Sequence, residues 1–232
     1  MKLQIPALLI LSVLGCLAQD KPVAIAKKLL PKKAVCVTCS LNGEGHEEEK
    51  PAGGLMYKGK AYYFCNIAEV ATFKADPEAY MPVILPRPAP ESLGKMLDGT
   101  EVALKDYKDK VLLIDFWATW CSPCVKAMPE MQKLHNKLAD KGFSAIGISI
   151  DEEGAKKVKP FQAKRKFTYP ILLDTDKESP VWKAFGVHGV PALFLVNRKG
   201  EIVQQWTGKI NQKEVEKAVV ELLEAESKKV SK

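Results

Sequence analysis

VLLIDFWATWCSPCVKAMPEMQKLHNKLADKG, residues 111–142, carries two periodicities with a cysteine pair at their junction. VLLIDFWA is an apolar run broken only by Asp115, the pattern of a central parallel strand covered on both faces. Beyond the junction, Val125, Met128, Met131, Leu134 and Leu138 recur at three- and four-residue spacing and Gly142 supplies a stop. That spacing predicts an amphipathic helix. A strand feeding a helix places Cys121 at the helix N-terminus, with Pro123 in the first turn. Backbone N–H groups and the helix dipole there stabilise a thiolate. Cys121 can then attack a disulfide, and Cys124, one turn further on and facing inward, can resolve the mixed disulfide. Asp115 falls close to the pair. It is either a proton acceptor for Cys124 or a plain buried acid satisfied by a neighbour. Trp120 would shield one side of the pair.

Working outward, FSAIGISI (143–150) reads as the next strand, followed by a helix near 153–166, the short strand YPILLD and a short helix near 180–185. GVPALFLVN and EIVQQWTG read as two strands around an Arg198-Lys199-Gly200 turn. NQKEVEKAVVELLEAE ends the pattern as a helix with Val215, Val219 and Leu222 on its apolar side. The order predicts an α/β fold, a mixed central sheet with helices on both faces. Upstream, VILPRPAPES (83–92) holds three prolines in five residues and reads as a stiff extended linker. It separates a small unit at 33–82 from a larger one at 93–228.

WATWCSPC together with GVPALFLV resembles the thioredoxin superfamily. The stretch 88–225 is similar to its exported TlpA/ResA-type thiol-disulfide oxidoreductases, including the extra αβ insertion IDEEGAKKVKPFQAKRKFTYPILLD. The resemblance implies that Pro191 is a cis-proline beside the dithiol and that Val190 offers backbone groups to an extended substrate segment. It also implies clients among exported disulfide proteins, such as cytochrome c apoproteins or copper-site assembly proteins, and an upstream electron donor. A peroxiredoxin pattern does not fit, because Ile114 and Thr119 are wrongly placed relative to Cys121.

A second pair, Cys36-Val-Thr-Cys39, lies in different surroundings. The segment GLMYKGKAYYFCN reads as a hairpin ending in Cys65, and IAEVATFKADPEAYM as a helix with Ala68, Phe73 and Tyr80 available for packing. A unit this small struggles to bury enough surface and commonly needs a metal staple. Three thiolates suit zinc or copper. YKGKAYYFCN…F…DPEAYM resembles the YHS/TRASH group of small α+β metal-associated domains, which carries over Cys39 and Cys65, and more loosely Cys36, as ligands. Where many relatives have a further cysteine this chain has Glu69. Glu69 or His46 could supply a fourth ligand, and Cu(I) would need neither. The alternatives are a Cys36–Cys39 disulfide, inert thiols, and for His46 a solvated loop.

MKLQIPALLILSVLGCLAQD has the build of an export signal over residues 1–18. Cys16 could be lipidated within VLGC, tethering the protein to a membrane. Cleavage after Ala18 would discard it, and an uncleaved anchor is the third option. All three place the chain outside the cytoplasm, in a bacterium as the resemblance implies. The net charge of +7 spreads over both halves. Its densest run, KKVKPFQAKRK (156–166), reads as the solvated face of a helix, and no motif supports nucleic-acid binding. Two rival functions stand beside disulfide reduction: a copper or zinc chaperone or sensor whose thioredoxin-like part only docks a partner, and a net oxidant of folding proteins.

Overall fold

The computed structural model describes residues 21–41, 47–81 and 83–230. Its first sheet starts earlier than the sequence suggests. β1 (Val23–Ala24) precedes the helix α1 (Val37–Leu41) and pairs antiparallel with β2 (Gly53–Tyr57). β2 returns through Lys58 and Gly59, both with positive φ, into β3 (Lys60–Phe64). Asn66 caps α2 (Ile67–Ala75) by accepting from the Ala68 N–H. Phe73 is fully buried and touches four rings, those of Tyr57, Tyr62, Phe64 and Tyr80. Ala68 does not join this core as expected. The cap turns it to solvent, and Val70 packs instead.

The second sheet opens with β4 (Arg87–Pro88), β5 (Ser92–Met96), β6 (Glu101–Ala103) and β7 (Val111–Trp117). Then come α3 (Ser122–Leu138), β8 (Phe143–Ser149), α4 (Ala155–Arg165), β9 (Ile171–Leu173) and α5 (Val181–Ala184). β10 (Ala192–Val196), β11 (Glu201–Thr207) and α6 (Gln212–Val230) complete it. Strands run in the order β4-β11-β10-β7-β8-β9-β5-β6, with β7, β8 and β9 parallel and the remaining pairs antiparallel. This is the mixed sheet that the order of elements predicts.

All seven residues of β7 and all seven of β8 are buried, because helices cover both faces. Side chains alternate along β7. Val111, Leu113 and Trp117 join the core beneath α3 and α6, while Leu112, Ile114 and Phe116 join the other core with Phe185 and Phe194. Asp115 therefore falls on the α3 face. α3 closes through a short 3-10 turn onto Gly142, whose φ of 79° suits a residue without Cβ. On α6 Leu222 packs against the core half-buried, and Leu223 joins it fully buried, continuing the four-residue step from Val215 and Val219. In α4 only Val158 is fully buried, so its lysines do form a solvated face.

The segment expected as a stiff extended linker outside helix and sheet is partly built into the sheet. Arg87 and Pro88 pair with Ile202 and Glu201, Ala89 is buried, and the Arg87 guanidinium donates to Phe185 O at 2.8 Å. An extended, proline-bearing segment is suited to an edge position, where proline's missing N–H costs nothing. No helix among the described residues is long and apolar enough to cross a membrane.

Candidate active site and thiol cluster

β7 ends at Trp117, and the chain turns sharply before α3. Two sets of bonds hold that turn. Cys121 N–H donates to Ala118 O at 3.1 Å. Asp151, just past β8, accepts from the Thr119 N–H at 2.8 Å and from its hydroxyl at 2.6 Å, and from Ser149 Oγ at 2.8 Å. Asp151 is 2% exposed. A buried carboxylate satisfied by three donors is a rigid clamp. Sequence reading missed it, because nothing local links residue 151 to the dithiol turn.

Cys121 is the N-cap of α3, where its sulfur accepts from the Cys124 N–H at 3.3 Å. Cys121 and Cys124 are joined as a disulfide, and both are buried, Cys124 completely. Trp120, immediately before them, is 68% exposed. It stands beside the pair as an exposed apolar face.

Asp115 meets Leu193 of β10 and Gly147 of β8 across the sheet. It lines a cleft of about 300 Å³ together with Cys124, Pro123, Met131, Pro191 and Lys209. Burial pushes its carboxyl up to about 8, so it holds a proton through neutral pH. The neighbouring Tyr169 is pushed up as well, first by burial and then by the Asp115 charge. The Val190–Pro191 peptide is cis, as the resemblance implies, and Pro191 O accepts from the Gly208 N–H at 3.0 Å. Val190 is half-buried against both cores. A larger cleft of about 630 Å³ opens at the β5–β6 edge, but none of the expected site residues lines it.

The other three described cysteines form a separate cluster. Their sulfurs lie within 4.8 Å of one another, and Cys39 and Cys65 Sγ are 3.6 Å apart. All three are free thiols, so the Cys36–Cys39 disulfide is not the arrangement seen here. Glu69, in the first turn of α2, accepts from Cys36 Sγ at 3.3 Å and faces Cys65 Sγ at 3.8 Å. His46 and Cys16 lie outside the described residues. Burial, and then the neighbouring Cys36 and Cys39, push the Cys65 thiol far up. Cys39 is raised too, chiefly by burial. Cys39 and Cys65 therefore stay protonated unless a cation takes the place of their protons. Tetrahedral zinc with bonds of about 2.3 Å needs sulfurs about 3.8 Å apart, so the cluster fits the ion with Glu69 as an oxygen donor.

The Redoxin family profile matches residues 86–222. The chain is 34% identical over 128 residues to a thiol-disulfide oxidoreductase ResA of Bacillus thuringiensis subsp. konkukian, covering 55% of this chain and 72% of that one. It is 35% identical over 129 residues to the thioredoxin-like protein YneN of Bacillus subtilis, covering 55% and 74%. Among solved structures, a thiol:disulfide interchange protein from Bacteroides sp. superposes with a TM-score of 0.55 at 29% identity, covering 62% of this chain and 93% of that one. A thioredoxin-family thiol:disulfide interchange protein from Chlorobium tepidum gives 0.52 at 27%, covering 61% and 99%. The matched family region begins where β4 joins the sheet, and the thiol cluster lies before it.

Proposed function

Since this chain belongs to the Redoxin family and is a thiol-disulfide oxidoreductase, we propose that it works outside the cytoplasm, reducing disulfides of exported proteins through Cys121 and Cys124. The observation that carries this reading is the cysteine pair at the head of α3, whose Cys124 lines one cleft with Asp115 and Pro191. In the reduced enzyme the Cys121 thiolate attacks one sulfur of a client disulfide. A mixed disulfide forms and the client's second sulfur leaves as a thiolate. The ionised minority of Asp115, which grows as pH rises towards 8, takes the Cys124 proton, and the Cys124 thiolate attacks Cys121 Sγ. The client's first sulfur then leaves, both client cysteines are reduced, and Cys121–Cys124 is oxidised. An upstream dithiol donor must return two electrons. In our reading the backbone at Val190, beside Pro191, aligns an extended client segment, and Trp120 adds an apolar contact at the rim. Cytochrome c apoproteins and copper-site proteins remain the client classes we favour.

Insulin reduction tests the reading. Wild type should be active and Cys121→Ser inactive, while Cys124→Ser should trap a mixed disulfide. Equal turnover by wild type and Cys121→Ser would overturn it. The direction rests on the dithiol potential: about −270 mV fits a reductant, and about −120 mV would reassign the protein as an oxidant.

The thiol cluster favours a second activity alongside the first. In our reading residues 33–82 form a YHS/TRASH-like unit that holds one zinc or copper ion through Cys36, Cys39 and Cys65, with Glu69 as fourth donor to zinc. An ion there would staple a small unit and could be handed on. Elemental analysis should find about one ion per chain, lost in Cys39→Ser/Cys65→Ser. No ion in wild type would overturn this reading and leave the oxidoreductase standing. The export signal, and lipid attachment through Cys16, are tested by the mass of the mature N-terminus.

A further inference from the structure

The N-terminal unit grips the larger sheet at two points that bracket Pro191. On one side, His188 Nε2 lies 2.7 Å from Ala79 O. A carbonyl only accepts, so Nε2 carries the proton and donates. The Tyr80 ring packs on the His188 ring at 4.8 Å. His188 is two residues ahead of Val190. On the other side, Thr207 Oγ1 donates to Leu41 O at 2.7 Å. Thr207 pairs with Ala192, and the next residue, Gly208, donates to Pro191 O. Both strands of chain that fix Pro191 are thus held from outside their own sheet.

Both grips lead back to the thiol cluster. Leu41 ends α1, the five-residue helix that carries Cys39 and starts next to Cys36. A helix this short does not hold itself in water. Tyr80 packs on Phe73 at 5.2 Å, in the helix that carries Glu69, and Phe73 packs on Phe64 at 5.3 Å, next to Cys65. A cation drawing Cys36, Cys39, Cys65 and Glu69 onto one centre would therefore fix α1 and α2 together. Leu41 O and Ala79 O would then be held in place for Thr207 and His188.

We propose that His188 and Thr207 are positioning residues for the Val190–Pro191 segment, and that cation binding at the thiol cluster tightens their hold and so strengthens client binding at the dithiol. The proposal rests on the reading of the cluster as a cation site. The two-state element is α1, ordered with the cation and frayed without it. The dithiol's own redox chemistry is untouched, because neither grip contacts Cys121 or Cys124. Coupling of this kind is reciprocal, so whatever breaks the grips also weakens the cation's hold.

Full-length protein, metal-free and zinc-loaded, decides it, with a disulfide peptide free of metal-binding side chains as substrate and glutathione in a zinc-buffered solution as recycling reductant. Zinc should lower KM about tenfold, within the usual range of coupling, while kcat and the dithiol potential stay put. In His188→Ala/Thr207→Val, KM should remain at the metal-free value with or without zinc. Zinc affinity, read by chelator competition, should fall by a comparable factor. His188→Gln keeps a donor and should retain both properties, which separates lost positioning from misfolding. Zinc uptake by wild type with no change in KM would overturn the coupling alone. Unchanged zinc affinity in the double variant, or a shift in dithiol potential on zinc loading, would also overturn it. Absence of zinc uptake would overturn the cation reading and the coupling together.

Discussion

Asp115 carries its charge at a cost, and that fixes the direction of two effects. Its carboxyl titrates near 3.8 when exposed and near 8 in the fold. Between those values the unfolded chain has released the proton and the native chain still holds it. Native protein therefore binds more protons, and its stability falls as pH rises from about 4 to 8, by an amount on the order of 5 kcal/mol for so large a shift. Asp115→Asn should abolish that fall. Urea unfolding at pH 5 and pH 8.5 should show a wild-type loss that the variant lacks. The same change removes the proton acceptor, so resolution of the mixed disulfide should slow about a hundredfold while the first attack is spared. Rapid-quench trapping of the mixed disulfide reads this. Asp151 acts by geometry. Replacing it with alanine strands the Thr119 donors and the Ser149 hydroxyl, and should cost about 2–3 kcal/mol in denaturant unfolding. It should also raise KM by loosening the turn before Cys121.

At the scale of elements, the two units are built with different safety margins. β7 and β8 are buried along their whole length between two cores, so no single residue carries that sheet. The N-terminal unit converges on one ring, Phe73. Phe73→Ala should cost about 3–5 kcal/mol. That is as much as so small a core supplies. The expected result is loss of the N-terminal thermal transition, with the thioredoxin-like transition retained. Near-ultraviolet circular dichroism and calorimetry would show whether one transition or both disappear. β4 illustrates a further point about elements. Its prolines signalled extended backbone correctly, but an extended segment beside an open sheet edge becomes a strand wherever its register allows pairing.

For the whole molecule, the cation reading predicts two levels of stability. Chelator added to metal-loaded full-length protein should lower the first thermal transition and leave the second in place, since only the first unit gains its binding free energy. Calorimetry at two chelator concentrations tests this. A single transition unaffected by chelator would contradict it.

The sequence by itself determined the dithiol and the fold around it. The all-apolar strand, the helix period after Cys121 and the Val-Pro ahead of the next strand are local patterns, and local patterns follow from the geometry of strand and helix. It also announced a second group of cysteines, with Glu69 as a candidate beside them. Tertiary structure alone decided the rest. Asp151 reaches Thr119 across 32 positions, Cys36 reaches Glu69 across 33, and His188 reaches Ala79 across 109. Which polar group meets which depends on where the chain returns, and no periodicity along the chain encodes that return. The burial that lifts Asp115 to about 8 has the same origin, because it comes from helices and strands distant in sequence closing over one carboxyl group.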